Sequence, residues 1–310
     1  MFSVIFPGQG SQSVGMAKDL YQKFQLVKEL FDQADDVLDF SISKLILEGP
    51  KEELDQTENT QPSIFLVSFS IFQLIKKEFS VDLNKANFFA GHSLGEYTAL
   101  TCAEALSFSD TLKLLKARGK AMQEAVPKGK GGMVAVLGSK PEIIEKIIDE
   151  NKSKYECFIA NDNSNGQLVV SGTIENLNNM MIDLKKNNIK SIKLPVSAPF
   201  HCKLMSNATK IMQNEIKKCD FKKPKNTLIS NVTSQEVGDI SLLKELLVKQ
   251  IESRVRWREN VNLMLKNKIN NFIEIGPGKV LSGLVKRIDK NVNIISINNE
   301  EDISKININD

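Results

Sequence analysis

The stretch NFFAGHSLGEYTALTCAEA, from Asn87 to Ala105, decides how this chain folds. It begins with a short apolar run of strand length and continues through the G-x-S-x-G pattern Gly91-His92-Ser93-Leu94-Gly95, after which its residues favour a helix. A strand, a sharp turn and a helix are the context of a nucleophile elbow, where the serine oxygen stands at a helix N-terminus. Ser93 is therefore a candidate nucleophile. The alternative is an ordinary strand–helix turn with an incidental serine.

The composition predicts a globular protein with a large core, because 41% of the 310 residues are hydrophobic. The net charge of +3 is too small to favour nucleic acid as a partner. No apolar run approaches the length of a membrane span, and no leader-like segment precedes the first predicted strand. We therefore expect a cytoplasmic protein without a membrane association. The four cysteines lack C-x-x-C spacing, which predicts reduced thiols and no metal site.

The order of predicted elements indicates an α/β fold class with two parts. A glycine-rich break at Pro127–Gly132 precedes a β-α-β-β-α-β order, which is the ferredoxin-like arrangement. An asparagine-rich turn, Asn161–Gly166, is predicted to link the middle strands of this part. We predict a discontinuous α/β-hydrolase-like core with a parallel sheet, made of residues 1–127 and 197–310. A ferredoxin-like subdomain is predicted as an insert at 128–196.

A serine nucleophile needs a base, and the chain has only two histidines, His92 and His201. Successive side chains at a strand end point in opposite directions, so His92 is poorly placed to take the proton of Ser93. We expect His92 to support the elbow by packing or hydrogen bonding. If Ser93 is a nucleophile, His201 is its base by elimination, and otherwise His201 is a satisfied structural histidine. The group that orients the imidazole stays open between a carboxylate and a backbone carbonyl.

Acyl transfer also needs donors for an oxyanion. The N–H of Leu94, immediately after Ser93, is one candidate. A second N–H has to come from another loop, and the polar, glycine-rich segment Pro7–Gln12 can bring backbone close to a ligand. Gln9 in this segment is the predicted second donor.

Arg118 lies on the apolar face of a helix predicted at Phe108–Val126. Its neighbours three and four positions away are Leu114, Leu115, Ala121 and Met122. A guanidinium in that position needs an anion, because an unpaired buried charge is expensive. One interpretation is a structural salt bridge or a side chain that extends to solvent. The other is a clamp that holds a substrate carboxylate with two hydrogen bonds.

Taken together, the motifs resemble those of the malonyl-CoA:acyl carrier protein transacylase family, the acyltransferases of type II fatty acid synthesis. The resemblance runs along essentially the whole chain, and its specificity comes from the order and spacing of the segments. These segments are FPGQGSQ at Phe6–Gln12, TQP at Thr60–Pro62, GHSLGEY at Gly91–Tyr97, Arg118-Gly119, Val196–Cys202, and IGPGKVL at Ile275–Leu281.

This resemblance implies a role for each matching residue. Ser93 is the acylated nucleophile, His201 the base and Arg118 the partner of the malonyl carboxylate. Gln9 and Leu94 are the oxyanion donors. The main-chain carbonyl of Gln250 orients the histidine, and Gln61 and Asn161 lie near the acyl pocket. The resemblance further implies no cofactor and no metal, a monomer, and malonyl-CoA and phosphopantetheinylated acyl carrier protein as substrates.

Some choices stay open at the level of sequence. The same Ser–His dyad would serve a serine esterase or thioesterase, and a non-catalytic acyl-carrier-binding protein could keep the fold. The bulky Phe200 before the histidine resembles malonyl-selective acyltransferase domains and leaves the tolerance for branched acyl groups open. The basic residues Arg254, Arg256, Arg258, Lys266 and Lys268 form a candidate docking patch for an acidic carrier protein, or an ordinary solvated helix face.

Overall fold

The computed structural model describes residues 1–79 and 81–306. Its strands are β1 Phe2–Phe6, β2 Phe88–Gly91, β3 Gly131–Leu137, β4 Cys157–Ser164, β5 Gln167–Thr173, β6 Lys190–Lys193, β7 Thr227–Ile229, β8 Glu236–Val237, β9 Asn271–Ile275 and β10 Asn293–Ile297. Its helices are α1 Lys18–Lys23, α2 Gln25–Leu38, α3 Ile42–Glu48, α4 Lys51–Leu54, α5 Thr57–Glu78, α6 Leu94–Cys102, α7 Phe108–Glu124, α8 Pro141–Glu150, α9 Ile174–Lys186, α10 Ser206–Lys218, α11 Ile240–Gln250, α12 Trp257–Lys266, α13 Val280–Ile288 and α14 Glu300–Ile303.

The larger sheet has the strand order β10-β9-β1-β2-β7-β8 and is parallel except for β8. Alternate residues of its central strands enter different cores, as the two-residue period of a strand requires. Phe6 and Phe89 pack with α2, α5, α6 and α7, whereas Ile5 and Phe88 pack with α12 and α13. In the register of β1 and β2, Phe6 lies opposite Gly91. The loops that follow these two strands therefore leave the sheet side by side.

The smaller sheet is antiparallel, with the order β4-β5-β3-β6. Val134, Val136, Leu168 and Val170 on one face pack against α8 and α9. Met133 and Val169 on the opposite face join the large core instead. The α/β class is confirmed: the protein has a sheet of mainly parallel strands and a separate antiparallel sheet. Within the described ranges, no helix has the length and apolar character needed to cross a membrane.

The predicted asparagine-rich turn is wrong for most of its length. Strand β4 continues through Asn161 to Ser164, and only Asn165 and Gly166 connect it to β5. The extension is stable because the backbone finds partners on both sides: Asn161 pairs with Val169 in β5, and it also bridges to Val255. The Asn-Gly pair is the usual signal for a short hairpin and marks the true turn.

Candidate active site

Ser93 occupies the turn between β2 and α6 with φ 54° and ψ −108°. Such a conformation costs about 1–3 kcal/mol for a residue with a side chain, so the surroundings must hold it. A Cβ on Gly91 would lie 1.9 Å from the carbonyl carbon of Gly95, and a Cβ on Gly95 would lie 2.3 Å from the carbonyl oxygen of Phe6. Both glycines of the motif are therefore needed for α6 to pack this closely against the sheet.

Asn231 holds the turn from the neighbouring strand, and sequence reasoning missed it. Its Nδ2 donates to the carbonyl of Gly91 at 2.7 Å, and its Oδ1 accepts the N–H of Ser93 at 2.7 Å. The residue is fully buried and follows β7, which lies beside β2 in the parallel sheet. A polar residue just after a buried parallel strand is the signal that could have found it, since ligand-binding groups gather at the carboxyl ends of such strands.

The structure brings Ser93 and His201 together, as predicted. The serine Oγ lies 2.8 Å from Nε2 of His201, and Nδ1 of the same ring lies 2.9 Å from the carbonyl oxygen of Gln250. A carbonyl only accepts, so Nδ1 carries the proton and Nε2 is free to accept the serine hydroxyl. The imidazole is oriented by a backbone carbonyl, which is the second of the two options that the sequence left open.

Burial and charge keep this imidazole neutral. His201 is only 5% exposed, and burial is the main cause that lowers its pKa to about 3, with the positive charge of Arg118 as the second cause. A histidine with a pKa this low is unprotonated at neutral pH. It can therefore take a proton from Ser93.

Arg118 is 1% exposed and points its guanidinium at the serine. Its Nη1 donates to Oε1 of Gln61 at 2.7 Å, and its Nη2 donates to Oγ of Ser93 at 3.1 Å and to Oε1 of Gln250 at 2.8 Å. All three partners are neutral, and across residues 1–79 and 81–306 no carboxylate lies within 4.0 Å of the guanidinium to form an ion pair. The structural salt bridge is therefore wrong, and the site is suited to an incoming anion.

Gln61 and Arg118 meet because α5 and α7 pack unusually close. A Cβ on Gly119 would lie 2.5 Å from Cα of Glu58, so only glycine permits this approach. Gln61 itself is buried in α5.

Gln250 does more than the predicted carbonyl contact. Its side chain Nε2 donates to the carbonyl of Ser93 at 3.0 Å and to Oε2 of Glu96 at 2.6 Å, while its Oε1 faces Arg118. The same residue thus contacts the histidine through its backbone and the arginine and the elbow through its amide.

These groups line a cleft of about 170 Å³ between the carboxyl end of the parallel sheet and the antiparallel sheet. The residues of the sequence prediction that form its wall are Gln9, Gln61, His92, Ser93, Leu94, Arg118, Asn161 and His201. Asn163 and the apolar side chains of Met122, Met133, Val169, Leu194, Val196 and Phe200 complete it. Within the described residues, the backbone N–H groups of Gln9 and Leu94 donate no hydrogen bond, so both remain available to a ligand.

His92 turns away from the serine hydroxyl, in line with the expectation from the strand end. Its Nε2 lies 2.8 Å from Oδ1 of Asn163, and its ring centroid lies 5.8 Å from that of Trp257. Burial lowers the pKa of His92. His92 therefore connects the elbow to strand β4 of the antiparallel sheet through Asn163.

The arginines of the predicted docking patch are paired with acids. Arg254 contacts Glu145 at 2.8 Å, Arg256 contacts Glu259 at 2.8 Å, and Arg258 contacts Asp162 at 2.7 Å. Their charge is largely compensated within the protein, so these three arginines offer little free charge to an acidic partner. In the part of the chain that the structure describes, no group of three His, Cys, Asp or Glu residues is placed to hold a metal ion.

Comparison with known proteins identifies the family. A family model for the acyl transferase domain matches residues 3–303. The chain is 40% identical over 301 residues to the malonyl CoA-acyl carrier protein transacylase of Bacillus subtilis (strain 168), which covers 96% of this chain and 94% of that protein. This chain belongs to the malonyl CoA-acyl carrier protein transacylases of the acyl transferase family. The transacylase of Escherichia coli (strain K12) is 36% identical over 288 residues, covering 93% and 92% of the two chains.

Solved structures agree with this membership of the transacylase family. The acyl-carrier-protein-S-malonyltransferase from Bartonella henselae matches with a TM-score of 0.95 and 38% identity, covering 98% of this chain and 97% of that chain. A malonyl-transacylase solved in complex with a type II PKS acyl-carrier protein matches with a TM-score of 0.94 and 34% identity, covering 98% of each chain.

Proposed function

We propose that this chain transfers the malonyl group from malonyl-CoA to the phosphopantetheine thiol of acyl carrier protein through a malonyl-serine intermediate. The observation that carries the proposal is the position of Arg118, a buried guanidinium that forms no ion pair with a described residue, at 3.1 Å from the hydroxyl that His201 also contacts. In a malonyl group a single methylene separates the free carboxylate from the thioester carbonyl. A carboxylate bound to Arg118 therefore leaves that carbonyl beside Ser93.

The chemistry runs as two transfers with balanced proton steps. His201 Nε2 takes the proton of Ser93 as Oγ attacks the thioester carbonyl. The N–H groups of Gln9 and Leu94 hold the oxyanion, at about 3 kcal/mol of transition-state stabilisation for each donor. The C–S bond then breaks, and the leaving thiolate takes the proton from His201. In the second half, His201 removes the proton of the carrier thiol, the sulfur attacks the serine ester, and Ser93 recovers its proton.

Several finer predictions accompany this function. The strand order β6-β3-β5-β4 supports a ferredoxin-like subdomain at 128–196 inserted into an α/β-hydrolase-like core of 1–127 and 197–310. Gln61 and Asn161 line the cleft, which supports the prediction that they lie near the bound acyl group. Coenzyme A as leaving group, the absence of a cofactor, the monomeric state and the cytoplasmic location stay predictions.

The test is intact-mass analysis after mixing the protein with malonyl-CoA or acetyl-CoA. We expect a malonyl adduct on Ser93 that disappears when carrier protein bearing its phosphopantetheine is added. Arg118→Ala removes the anion partner, so the malonyl adduct is expected to fall while the acetyl adduct persists. Arg254→Ala is the matched control, since it removes an arginine outside the cleft. The amount of adduct formed with methylmalonyl-CoA in the same series measures whether the cleft beside Phe200 accepts a branched acyl group.

Other outcomes would support the alternatives. A native protein that forms no adduct with malonyl-CoA would be a carrier-binding protein without catalysis. An adduct that passes to water instead of the carrier thiol would indicate a thioesterase. If Arg118→Ala kept the native preference for malonyl over acetyl, the assignment of Arg118 to the carboxylate would be wrong.

A further inference from the structure

Glu96 is a buried acid at the active site for which the transfer mechanism above has no role. It lies in the first turn of α6, three residues after Ser93, and it is nearly inaccessible to solvent. Across residues 1–79 and 81–306, the carboxylate forms no ion pair. Both of its hydrogen bonds fall on Oε2, which accepts Nε2 of Gln250 at 2.6 Å and the backbone N–H of Asn231 at 3.2 Å.

The contact with Gln250 fixes which way the amide of that residue points. Arg118 can only donate hydrogen bonds, so the oxygen of the Gln250 amide must point toward it. The NH₂ group of the same amide then points away from Arg118, toward Glu96 and the carbonyl of Ser93. Glu96 accepts this NH₂ at 2.6 Å, the shortest of the contacts made by the Gln250 side chain. A reversed amide would place NH₂ against the guanidinium and oxygen against a carboxylate.

The contact with Asn231 acts on the same turn from the other side. Asn231 holds the backbone of both Gly91 and Ser93 through its side chain, and Glu96 holds the backbone N–H of Asn231. A single carboxylate oxygen thus joins the segment after β7 to the end of α11. These two segments flank the nucleophile.

We propose that Glu96 is a positioning residue that acts as a hydrogen-bond acceptor: it locks the Gln250 amide with its oxygen toward Arg118, and so fixes the guanidinium for a substrate carboxylate. This inference rests on the malonyl transfer proposed above. Since the role needs an acceptor and not a charge, Glu96→Gln can keep it, with the amide oxygen in the place of Oε2. Glu96→Ala cannot, because it leaves the backbone N–H of Asn231 without its acceptor and leaves Nε2 of Gln250 with only the longer contact to the carbonyl of Ser93.

The experiment compares two reactions of Ser93 in the native protein and in these two variants. The first is malonylation by malonyl-CoA, which uses Arg118. The second is sulfonylation by phenylmethylsulfonyl fluoride, a neutral reagent that needs Ser93 and His201 but has no carboxylate. For Glu96→Ala we expect kcat/KM for malonyl-CoA to fall by about tenfold, as for the loss of one buried hydrogen-bond acceptor, with KM rising and sulfonylation little changed. Glu96→Gln is expected to restore malonylation close to the native rate.

Each other result has a definite meaning. Equal loss of both reactions in Glu96→Ala would show a structural defect of the elbow and overturn the proposal. Glu96→Gln as poor as Glu96→Ala would overturn the acceptor role, because the charge would then be what matters. A native rate of malonylation in Glu96→Ala would also overturn it. If the native protein itself formed no malonyl adduct, the proposed function would fail instead, which separates the two ideas.

Discussion

At the scale of single residues, His201 and Arg118 have opposite charge requirements within one small site. In the proposed mechanism His201 must be neutral to accept a proton, whereas Arg118 must be positive to bind an anion. Burial favours the neutral form of both groups, and it lowers the pKa of each. The guanidinium starts from so high a pKa that it keeps its charge at neutral pH, and its charge helps to hold His201 neutral.

The pH dependence of Ser93 reactivity follows from this arrangement. An ordinary histidine becomes protonated, and so can no longer act as a base, as the pH falls below about 6.5. The pKa of His201 is lowered to about 3, so it stays unprotonated over this range. We expect sulfonylation of Ser93 by phenylmethylsulfonyl fluoride to show no histidine inflection between pH 5 and pH 8, and the measurement is the rate across that range. Glu96→Gln serves as the background, because burial raises the pKa of Glu96 to about 7 and its titration would otherwise overlap.

The same shift affects stability, with a definite sign. The unfolded chain binds a proton on His201 below about pH 6.5, whereas the folded chain does so only near pH 3. Between these values the unfolded state binds more protons, so His201 makes the fold less stable as the pH falls through this window.

A histidine inflection near pH 6.5 in the sulfonylation profile would contradict the assignment of His201 as a buried neutral base.

At the scale of elements, the active site depends on how closely α6 lies against β1 and β2. Sequence reasoning predicted this strand, turn and helix, because the apolar run, the G-x-S-x-G pattern and the helix-forming residues are all local signals. It failed at the extension of β4 to Ser164 and at Asn231. The first depends on pairing with β5 on one side and, at Asn161 and Asp162, on Val255, which is distant in sequence, on the other; the second depends on β7 lying beside β2. Neither neighbour is visible in the local pattern.

Gly95→Ala tests the close packing of α6. The new Cβ would lie 2.3 Å from the carbonyl oxygen of Phe6, which belongs to a buried strand and has little freedom to move. We expect a loss of about 3 kcal/mol in the free energy of unfolding, together with slower acylation of Ser93. Denaturant unfolding followed by circular dichroism measures the first effect.

The matched control is Gly283→Ala in α13, where an added Cβ meets no atom within 4 Å. Alanine favours a helix over glycine, so this variant should gain roughly 0.5–1 kcal/mol. If both variants changed stability by a similar amount and in the same direction, the packing explanation for Gly95 would be untenable.

At the scale of the whole molecule, the cleft exists because the antiparallel sheet is attached to the segment between α11 and α12. The backbone of Val255 bonds to both Ala160 and Asp162 in β4, at 2.8 and 2.9 Å. Asp162 is fully buried, and its carboxylate accepts hydrogen bonds from two nitrogens of Arg258, the second residue of α12. These contacts hold Asn161 and Asn163 against the elbow.

Arg258→Ala should therefore destabilise the whole protein. It would leave the carboxylate of Asp162 buried without a partner, which costs about 3 kcal/mol. The neighbouring Arg256→Ala breaks a more exposed pair with Glu259 and should cost less than about 1 kcal/mol. Thermal unfolding of the two variants checks the difference, and similar melting temperatures would argue against a structural role for the Asp162–Arg258 pair.

Local sequence was enough to predict the elbow, the α/β class and the pairing of Ser93 with His201, because short-range patterns and a scarcity of histidines leave few choices. The hydrogen-bond partners of Arg118 could not be predicted in this way. Whether a buried guanidinium meets a carboxylate or only amide oxygens depends on which residues of α5 and α11 surround it. The same holds for Asn231, Glu96 and the amide of Gln250, since long-range hydrogen bonds exist only once distant segments have packed together.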